Sequence, residues 1–173
     1  DVIGTFAKLA EPRGFTTYMM TPDKDYAQLV SPQTFIYKPG RGGNPPEIVG
    51  VKEVCEKFEI NAPIQVIDIL GLWGDASDNI PGIPGIGEKT AKALVAKYGS
   101  MEGLFANVHE LKGKQKENVE QFQQQGLMSK SLATIIRDVP IEFDEKDLKV
   151  CPVNADAIRD IFTELEFRTL AKR

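Results

Sequence analysis

The sequence predicts an α/β protein in which a first lobe of strands and helices, residues 1–70, is followed by a helical second lobe, residues 71–173. Two runs of β-branched and aromatic residues, at 15–20 and 34–40, predict strands in the first lobe. Apolar residues spaced three and four positions apart predict helices throughout the second lobe. Because 42% of the 173 residues are hydrophobic, the chain can bury a substantial core.

The elements of the first lobe follow from periodicity and from glycine and proline. In chain order they are a helix, a strand, a short helix, a second strand and a loop, at 2–10, 15–20, 26–30, 34–40 and 40–47. Helices are then predicted at 51–58, 63–74, 88–99, 101–108, 112–125, 129–138 and 155–167, with an extended piece at 138–144. The glutamine-rich stretch at 120–126 is interpreted as an exposed helix end.

Composition excludes several functional classes. The net charge of −4 argues against a nonspecific nucleic-acid binder, but one glutamate and three lysines between Gly87 and Gly99 make a local basic patch. His109 is the one histidine, which argues against a zinc site and against Ser-His or Cys-His catalysis. No apolar run approaches the length of about 20 residues that a membrane span needs. Because the chain begins with Asp1, we expect it to be part of a longer protein.

Two pairs of aspartates are candidate ligands for a metal ion. Asp23 and Asp25 follow a predicted strand, where ligands bind in open α/β sheets. Asp75 and Asp78 are three positions apart, so both carboxylates can point the same way. Carboxylates without a neighbouring histidine or thiolate favour a hard cation such as Mg²⁺ or Mn²⁺. Each pair taken singly is also compatible with helix capping or loop solvation. A calcium loop is excluded because Ala27 occupies its fifth position.

The turn PGIPGIG, which the second pair precedes, predicts a binding site for phosphate. Gly85 and Gly87 carry no side chain, so their backbone N–H groups can approach an anion closely. The helix that follows adds its positive N-terminus, and Lys89 and Lys92 lie one turn apart on it. Such a site would bind a nucleic-acid backbone without reading bases. The alternative is a plain connection between two helices, because the spacing matches neither the P-loop nor the dinucleotide-binding fingerprint.

The stretch GDASDNIPGIPGIGEKTAKAL, at 74–94, resembles the signature of the 5′–3′ exonuclease domains of bacterial DNA polymerase I, which belong to the flap-endonuclease superfamily. The likeness extends over nearly the whole chain. DVIGTFAKLA resembles the helix that follows the family's E-A-D-D motif, with Asp1 as its last aspartate. TPDKDYAQLV resembles the family's G-D-x-D-x-x-Q-L-V strand end, with Pro22 in place of the usual glycine.

The resemblance implies a fold, a reaction and a set of site residues. The fold would be an incomplete PIN/FEN-like α/β lobe with a helix–hairpin–helix (helix–three-turn–helix) DNA-binding lobe. The reaction would be metal-dependent, structure-specific hydrolysis of phosphodiester bonds in DNA replication and repair. The implied metal ligands are Asp1, Asp23, Asp25, Asp75 and Asp78. The implied DNA-binding residues are Gly85, Gly87, Lys89, Thr90 and Lys92. The family's equivalent turn often binds K⁺ through backbone carbonyls, here near Ile83 and Ile86.

The resemblance also implies cofactors, partners and a location. Two Mg²⁺ or Mn²⁺ ions would bind in the complete family site, and the first of the two sites would lie largely outside this chain. The partners would be double-stranded DNA with 5′ flaps, nicks or gaps and a fused polymerase region. We expect a monomer in the bacterial cytoplasm.

Two other functions stay open. A fragment with an incomplete active site could bind duplex DNA without cutting it. A phosphatase acting on small molecules would explain the carboxylates but not the glycine turn and the lysines. Trp73 and Tyr98 could stack on bases, but their apolar helix faces favour a place in the core.

Overall fold

A computed structural model describes residues 1–40 and 42–170. Its contacts divide the chain into two units, Asp1–Ile141 and the segment from Glu142 onward. The first unit contains three strands, β1 Thr17–Met20, β2 Thr34–Lys38 and β3 Glu47–Val49. Its helices are α1 Val2–Ala10, α2 Val51–Phe58, α3 Val66–Trp73, α4 Glu88–Tyr98, α5 Met101–Ala106, α6 Gly113–Gln121 and α7 Gln123–Ala133. The α/β class is confirmed.

The strands form a mixed sheet in the order β1-β2-β3. β1 pairs with β2 in parallel, Thr17 opposite Thr34, and β2 pairs with β3 antiparallel, Tyr37 opposite Ile48. The sequence predicted no strand at β3, because three residues after a glycine and proline loop are too short to show periodicity. The parallel pair places the end of β1, and the aspartates after it, at one edge of the sheet.

Helix α3 lies at the centre of the first unit. Four of its apolar side chains are fully buried, namely Val66, Ile69, Leu70 and Leu72. A Cβ atom on Gly71 would lie only 2.6 Å from Met101 Sδ and 3.0 Å from Lys130 Cα, so only a glycine lets α7 and α5 come this close. The loop that follows α3 therefore starts from a tightly packed base.

The junction of α6 and α7 differs from its prediction. A helix was predicted to end at residue 125, but α6 ends at Gln121 and α7 begins at Gln123. Helix α7 then continues to Ala133. It therefore contains both the end of the glutamine-rich stretch and the first residues of the helix predicted at 129–138. The interpretation of that stretch as an exposed helix end is confirmed at Gln121, where α6 ends, and wrong at Gln125, which lies within α7, is half-buried and is bonded to another segment.

The second unit contains helix α8, Ala155–Glu164, which ends three residues before its prediction. The Asn154 side chain caps it by accepting a hydrogen bond of 3.1 Å from the Ala157 N–H. The extended piece predicted at 138–144 is irregular backbone, not a strand. Residues 171–173 of the predicted second lobe, and Arg41 of the predicted loop, lie outside the described residues. Within the described ranges, each helix is too short or too polar to cross a membrane.

Candidate functional site

Three of the predicted carboxylates meet at one point. Oxygen atoms of Asp25, Asp75 and Asp78 all lie within 4.8 Å of one another. Asp25 comes from the 3₁₀ turn Lys24–Leu29, which follows β1, and the other two come from the loop after α3. A cluster of three carboxylate oxygens from two segments is the arrangement that a divalent cation takes as ligands.

Backbone bonds and two glycines shape the loop that carries Asp75 and Asp78. The Asp75 N–H donates to the Ile80 carbonyl and the Ile80 N–H donates to the Asp75 carbonyl, both at 2.8 Å. Gly74 and Gly82 have φ values of 81° and 62°, and a Cβ on Gly74 would lie 2.5 Å from the Ile80 oxygen. The loop therefore closes tightly at its two glycines and holds both aspartates between them.

Asp25 and Asp75 are the buried members of the cluster, and they differ in their hydrogen bonds. Only 8% of Asp25 is exposed, and its Oδ1 atom has no hydrogen-bond partner. Burial, and then the negative charge of Asp23, raise the pKa of Asp25 to about 6. A buried carboxylate oxygen without a partner costs free energy that a bound cation would recover. The donor set therefore fits a hard divalent ion.

A lysine of the chain already binds this cluster. The Lys24 ammonium forms an ion pair with Asp75 Oδ2, and it lies 5.7 Å from the centre of the Trp73 ring. Burial acts to raise the pKa of Asp75, but hydrogen bonds from Lys24 and Ser77 outweigh it and bring the pKa below its usual range. The negative charge of the cluster therefore binds a positively charged side chain of the protein itself, Lys24.

The other two predicted ligands make different contacts. Asp23 Oδ1 accepts a hydrogen bond of 3.0 Å from the Asp25 N–H and so caps the 3₁₀ turn beside the cluster. Asp1 Oδ1 accepts a hydrogen bond of 2.9 Å from the Ile136 N–H, which ties the start of α1 to the segment after α7. The roles of Asp1 and Asp23 as metal ligands stay predictions.

The glycine turn, residues 82–87, follows the aspartate loop directly. Its two isoleucines, Ile83 and Ile86, are buried and anchor it to the core. The Ile83 N–H donates to the Leu72 carbonyl at 2.8 Å, and the Ile83 carbonyl accepts from the Ile86 N–H at 3.1 Å. Gly85 has a φ of 79°, whereas Gly87 is extended and open space surrounds the position of a Cβ. A K⁺ site at the isoleucine carbonyls stays a prediction.

The polar residues at the start of α4 fall into two groups. Lys89 is exposed and Thr90 is half-buried. The Lys92 ammonium lies 2.8 Å from Glu88 Oε1 and donates to the Lys57 carbonyl at 3.0 Å, so it binds within the protein. Of the two lysines predicted to hold phosphate, Lys89 therefore needs no rearrangement. The DNA-binding roles of all these residues stay predictions.

Sequence reasoning missed four polar residues at the site. Lys24 stands between the two aspartates of the first pair, and that position was a signal for an ion pair. Three further side chains, Asn118, Gln125 and Ser129, bond to the backbone of the glycine turn. They are distant from the turn in sequence, so only the packing of α6 and α7 brings them there.

Two family profiles match the chain. Residues 1–59 match the 5′–3′ exonuclease N-terminal resolvase-like domain, and residues 61–156 match the 5′–3′ exonuclease C-terminal SAM fold. The chain belongs to the 5′–3′ exonuclease family. The two matched ranges meet near residue 60, and the predicted lobe boundary at residue 70 stays a prediction.

Relatives of known name match the chain from end to end. The chain is 43% identical over 174 aligned residues to DNA polymerase I of Bacillus subtilis and 36% identical over 173 to DNA polymerase I of Mycobacterium leprae. All of this chain is covered in both, but it spans only 20% and 19% of those proteins. The resemblance stated from the sequence is confirmed.

Solved structures share the fold. The T5 D15 flap endonuclease, in a pseudo-enzyme-product complex with DNA and metal ions, aligns with a TM-score of 0.65 at 18% identity, over 76% of this chain and 47% of its own. The catalytic core of Rad2 with a DNA substrate aligns with a TM-score of 0.54 at 15% identity, over 94% of this chain and 56% of its own. The predicted FEN-like fold is confirmed.

Proposed function

We propose that this chain is the part of a structure-specific 5′–3′ exonuclease, or flap endonuclease, that binds a divalent metal and the DNA backbone. The observation that supports this most directly is the cluster of Asp25, Asp75 and Asp78 with the buried, unpartnered Asp25 oxygen. The reaction would be hydrolysis of phosphodiester bonds in DNA. Family membership supports the reaction class, and the neighbouring glycine turn supports DNA as the substrate.

The three clustered aspartates would hold Mg²⁺ or Mn²⁺, with Asp23 and Asp1 as further candidates. When bound, such ions lower the pKa of a water molecule and stabilise the leaving oxygen of a displacement at phosphorus. The protein's own contribution is to hold the carboxylates on two firmly packed segments. Lys24 would leave Asp75 when the metal binds, because both cations need the same carboxylate.

The glycine turn would bind the sugar–phosphate backbone. Gly87 offers an open approach to the N-terminus of α4, and Lys89 adds an exposed positive charge beside it. Gly85, Thr90 and Lys92 are the further candidates from the sequence. Such contacts do not depend on the base sequence of the DNA. A nuclease that recognises 5′ flaps, nicks or gaps by their shape requires contacts of this kind. A K⁺ held by carbonyls near residues 83 and 86 would join protein and phosphate.

The relatives also support a partner and a location. Because they are DNA polymerases I, we infer that a polymerase region is fused to this part in the complete protein. We infer a monomer in the bacterial cytoplasm.

The test uses conservative changes of the cluster. Asp25→Asn keeps the size of the side chain and removes its charge, and the exposed Asp138→Asn is the matched control. We expect Asp25→Asn to abolish measurable Mn²⁺ binding in titration calorimetry and Asp138→Asn to leave it unchanged. Wild-type Mn²⁺ affinity in Asp25→Asn would refute the metal site.

The second candidate function is duplex binding without cleavage, and the ion pair of Lys24 with Asp75 favours it, because this chain satisfies Asp75 without metal. A labelled 5′-flap duplex incubated with the chain and Mg²⁺ separates the two functions. Cleavage supports the nuclease, and retention without cleavage supports the binding fragment. We expect retention at low salt that falls steeply as salt is added.

A further inference from the structure

Three polar side chains of α6 and α7 bond to the backbone of the glycine turn. Asn118 Nδ2 donates to the Pro84 carbonyl at 2.8 Å, and Gln125 Nε2 donates to the Gly82 carbonyl at 2.7 Å. The Gly82 N–H donates to Ser129 Oγ at 3.0 Å. Both polar groups of Gly82 therefore have a side-chain partner.

The two partners from α7 act as a unit. Gln125 and Ser129 are four positions apart, so they share one face of the helix. Ser129 is fully buried, and its hydroxyl donates to the backbone carbonyl of Gln125 at 2.8 Å and accepts from the Gly82 N–H. The orientation of the hydroxyl is thus fixed by α7 itself.

Glycines let the helices lie directly on the turn. A Cβ on Gly126 would lie 3.0 Å from Ile83 Cδ1, and a Cβ on Gly85 would lie 2.9 Å from Asn118 Nδ2. Neither distance leaves room for a side chain without movement. The absence of side chains at Gly85 and Gly126 therefore allows α6 and α7 to lie against the turn.

We propose that Asn118, Gln125 and Ser129 are positioning residues for DNA binding, which hold the glycine turn in its binding conformation. This proposal rests on the proposed function of the turn. A turn with three glycines loses much conformational entropy when it binds a ligand, unless the protein has already ordered it. Gln125, in the glutamine-rich stretch, donates one of the hydrogen bonds that order the turn.

The chemistry of these groups suits a site for an anion. Amide and hydroxyl groups satisfy the carbonyl and N–H groups of the turn without adding a negative charge that would repel phosphate. An isosteric carboxylate at residue 125 would place its oxygen against the Gly82 carbonyl oxygen, and the two acceptors would repel each other. Gln125→Glu therefore replaces an attractive hydrogen bond to Gly82 by a repulsion, with almost no change in side-chain volume.

The experiment compares two neighbouring glutamines in the 173-residue chain. Gln125→Glu removes the donor to the turn, and Gln124→Glu adds the same charge at an exposed position of the same helix. Affinity for a 20-base-pair duplex is measured by fluorescence anisotropy at several salt concentrations in EDTA. We expect Gln125→Glu to bind the duplex at least tenfold more weakly than Gln124→Glu, with a shallower dependence on salt because fewer phosphates are contacted.

Two further pairs repeat the test with other chemistry. Asn118→Asp is compared with the exposed Gln121→Glu, and Ser129→Ala with the exposed Ser131→Ala. We expect the first member of each pair to bind the duplex more weakly than the second. Mn²⁺ affinity, measured by calorimetry, should be equal within each pair, because the aspartate cluster is untouched.

The outcomes separate positioning from folding and from the proposed function. Equal duplex affinity and equal salt dependence of Gln125→Glu and Gln124→Glu would overturn the positioning role. Weaker binding with an unchanged salt slope and lost Mn²⁺ affinity would also overturn it, because the whole fold would then be affected. If the unaltered chain binds no duplex, the proposed function of the turn fails first and this proposal with it.

Discussion

The aspartate loop, residues 74–82, and the glycine turn, residues 82–87, are neighbours of opposite electrostatic character. The loop concentrates negative charge, and a lysine of the protein neutralises part of it. The turn has no charged side chain, and neutral amide and hydroxyl groups from α6 and α7 bond to its backbone. Gly82 belongs to both segments.

This difference in charge predicts how each segment binds its ligand. A divalent ion must compete with Lys24 for Asp75. The affinity for the ion therefore reflects the free energy gained by binding it less the free energy lost when the Lys24 ion pair breaks. The turn needs no such exchange, because its conformation is already set by bonds to the helices. Metal binding should therefore depend on charge and pH, whereas backbone binding should depend on the rigidity of the turn.

The largest effect is expected on stability, at the residue that the two segments share. Gly82→Ala combines a φ of 62° with a Cβ that would collide with the backbone of Trp73 and Gly74. We expect it to lower the free energy of unfolding by about 2–4 kcal/mol in urea denaturation.

Gly87→Ala is the matched control, because its φ is −88° and a Cβ there meets open space. It should cost less than about 1 kcal/mol while weakening duplex binding, since the new methyl group stands where phosphate would approach. Equal losses of stability in both variants would contradict the assigned shape of the loop.

The next effect concerns the charged segment alone. Asp75→Asn should weaken Mn²⁺ binding roughly 100-fold, because one unit charge in contact with the ion is removed. Calorimetry measures the change, and duplex affinity in EDTA should not decrease. A parallel loss of duplex binding would mean that the two segments do not act independently.

A smaller effect of opposite sign is expected at Lys24. Lys24→Met removes the competing cation and should tighten Mg²⁺ binding about tenfold, while it leaves the buried Asp75 charge unpaired and lowers stability in EDTA. The emission of Trp73, the one tryptophan of the chain, should change on Mg²⁺ addition in the wild type and not in this variant. Lys52→Met, at an exposed position, serves as the control.

Unchanged Mg²⁺ affinity in Lys24→Met would show that Lys24 is no competitor for the ion.

The smallest effect is on pH dependence. Because the pKa of Asp25 is about 6, half of the molecules carry a proton there at pH 6, so Mg²⁺ affinity should be about half of its value at pH 8. The folded pKa is raised from 3.8, so protonated Asp25 stabilises the metal-free protein. This stability is fully present below about pH 4 and is lost as the pH rises through about 6.

Melting temperatures in EDTA should follow that course in the wild type, and Asp25→Asn should remove this contribution. A melting temperature that rises between pH 4 and pH 6 in the wild type, relative to Asp25→Asn, would reverse the assigned sign.

Most of the fold followed from local patterns. Apolar spacing gave the positions of α1 and α4, and β-branched runs gave β1 and β2. Strand β3 was missed because its pairing with β2 forms it, not its own three residues. The break between α6 and α7 was misplaced because a polar helix shows little hydrophobic periodicity.

The site divides in the same way. The sequence alone determined that two aspartate pairs, a rigid turn and a basic helix occur in this order, because residue type and spacing carry that chemistry. Only the tertiary structure decided that Asp25 joins Asp75 and Asp78 and that Lys92 bonds to the Lys57 carbonyl, whereas the cap by Asp23 is a local bond that the sequence already allowed. The reason is physical: which distant groups share a charge or a hydrogen bond depends on distances across the fold, and those are fixed by how separate segments of the chain pack together.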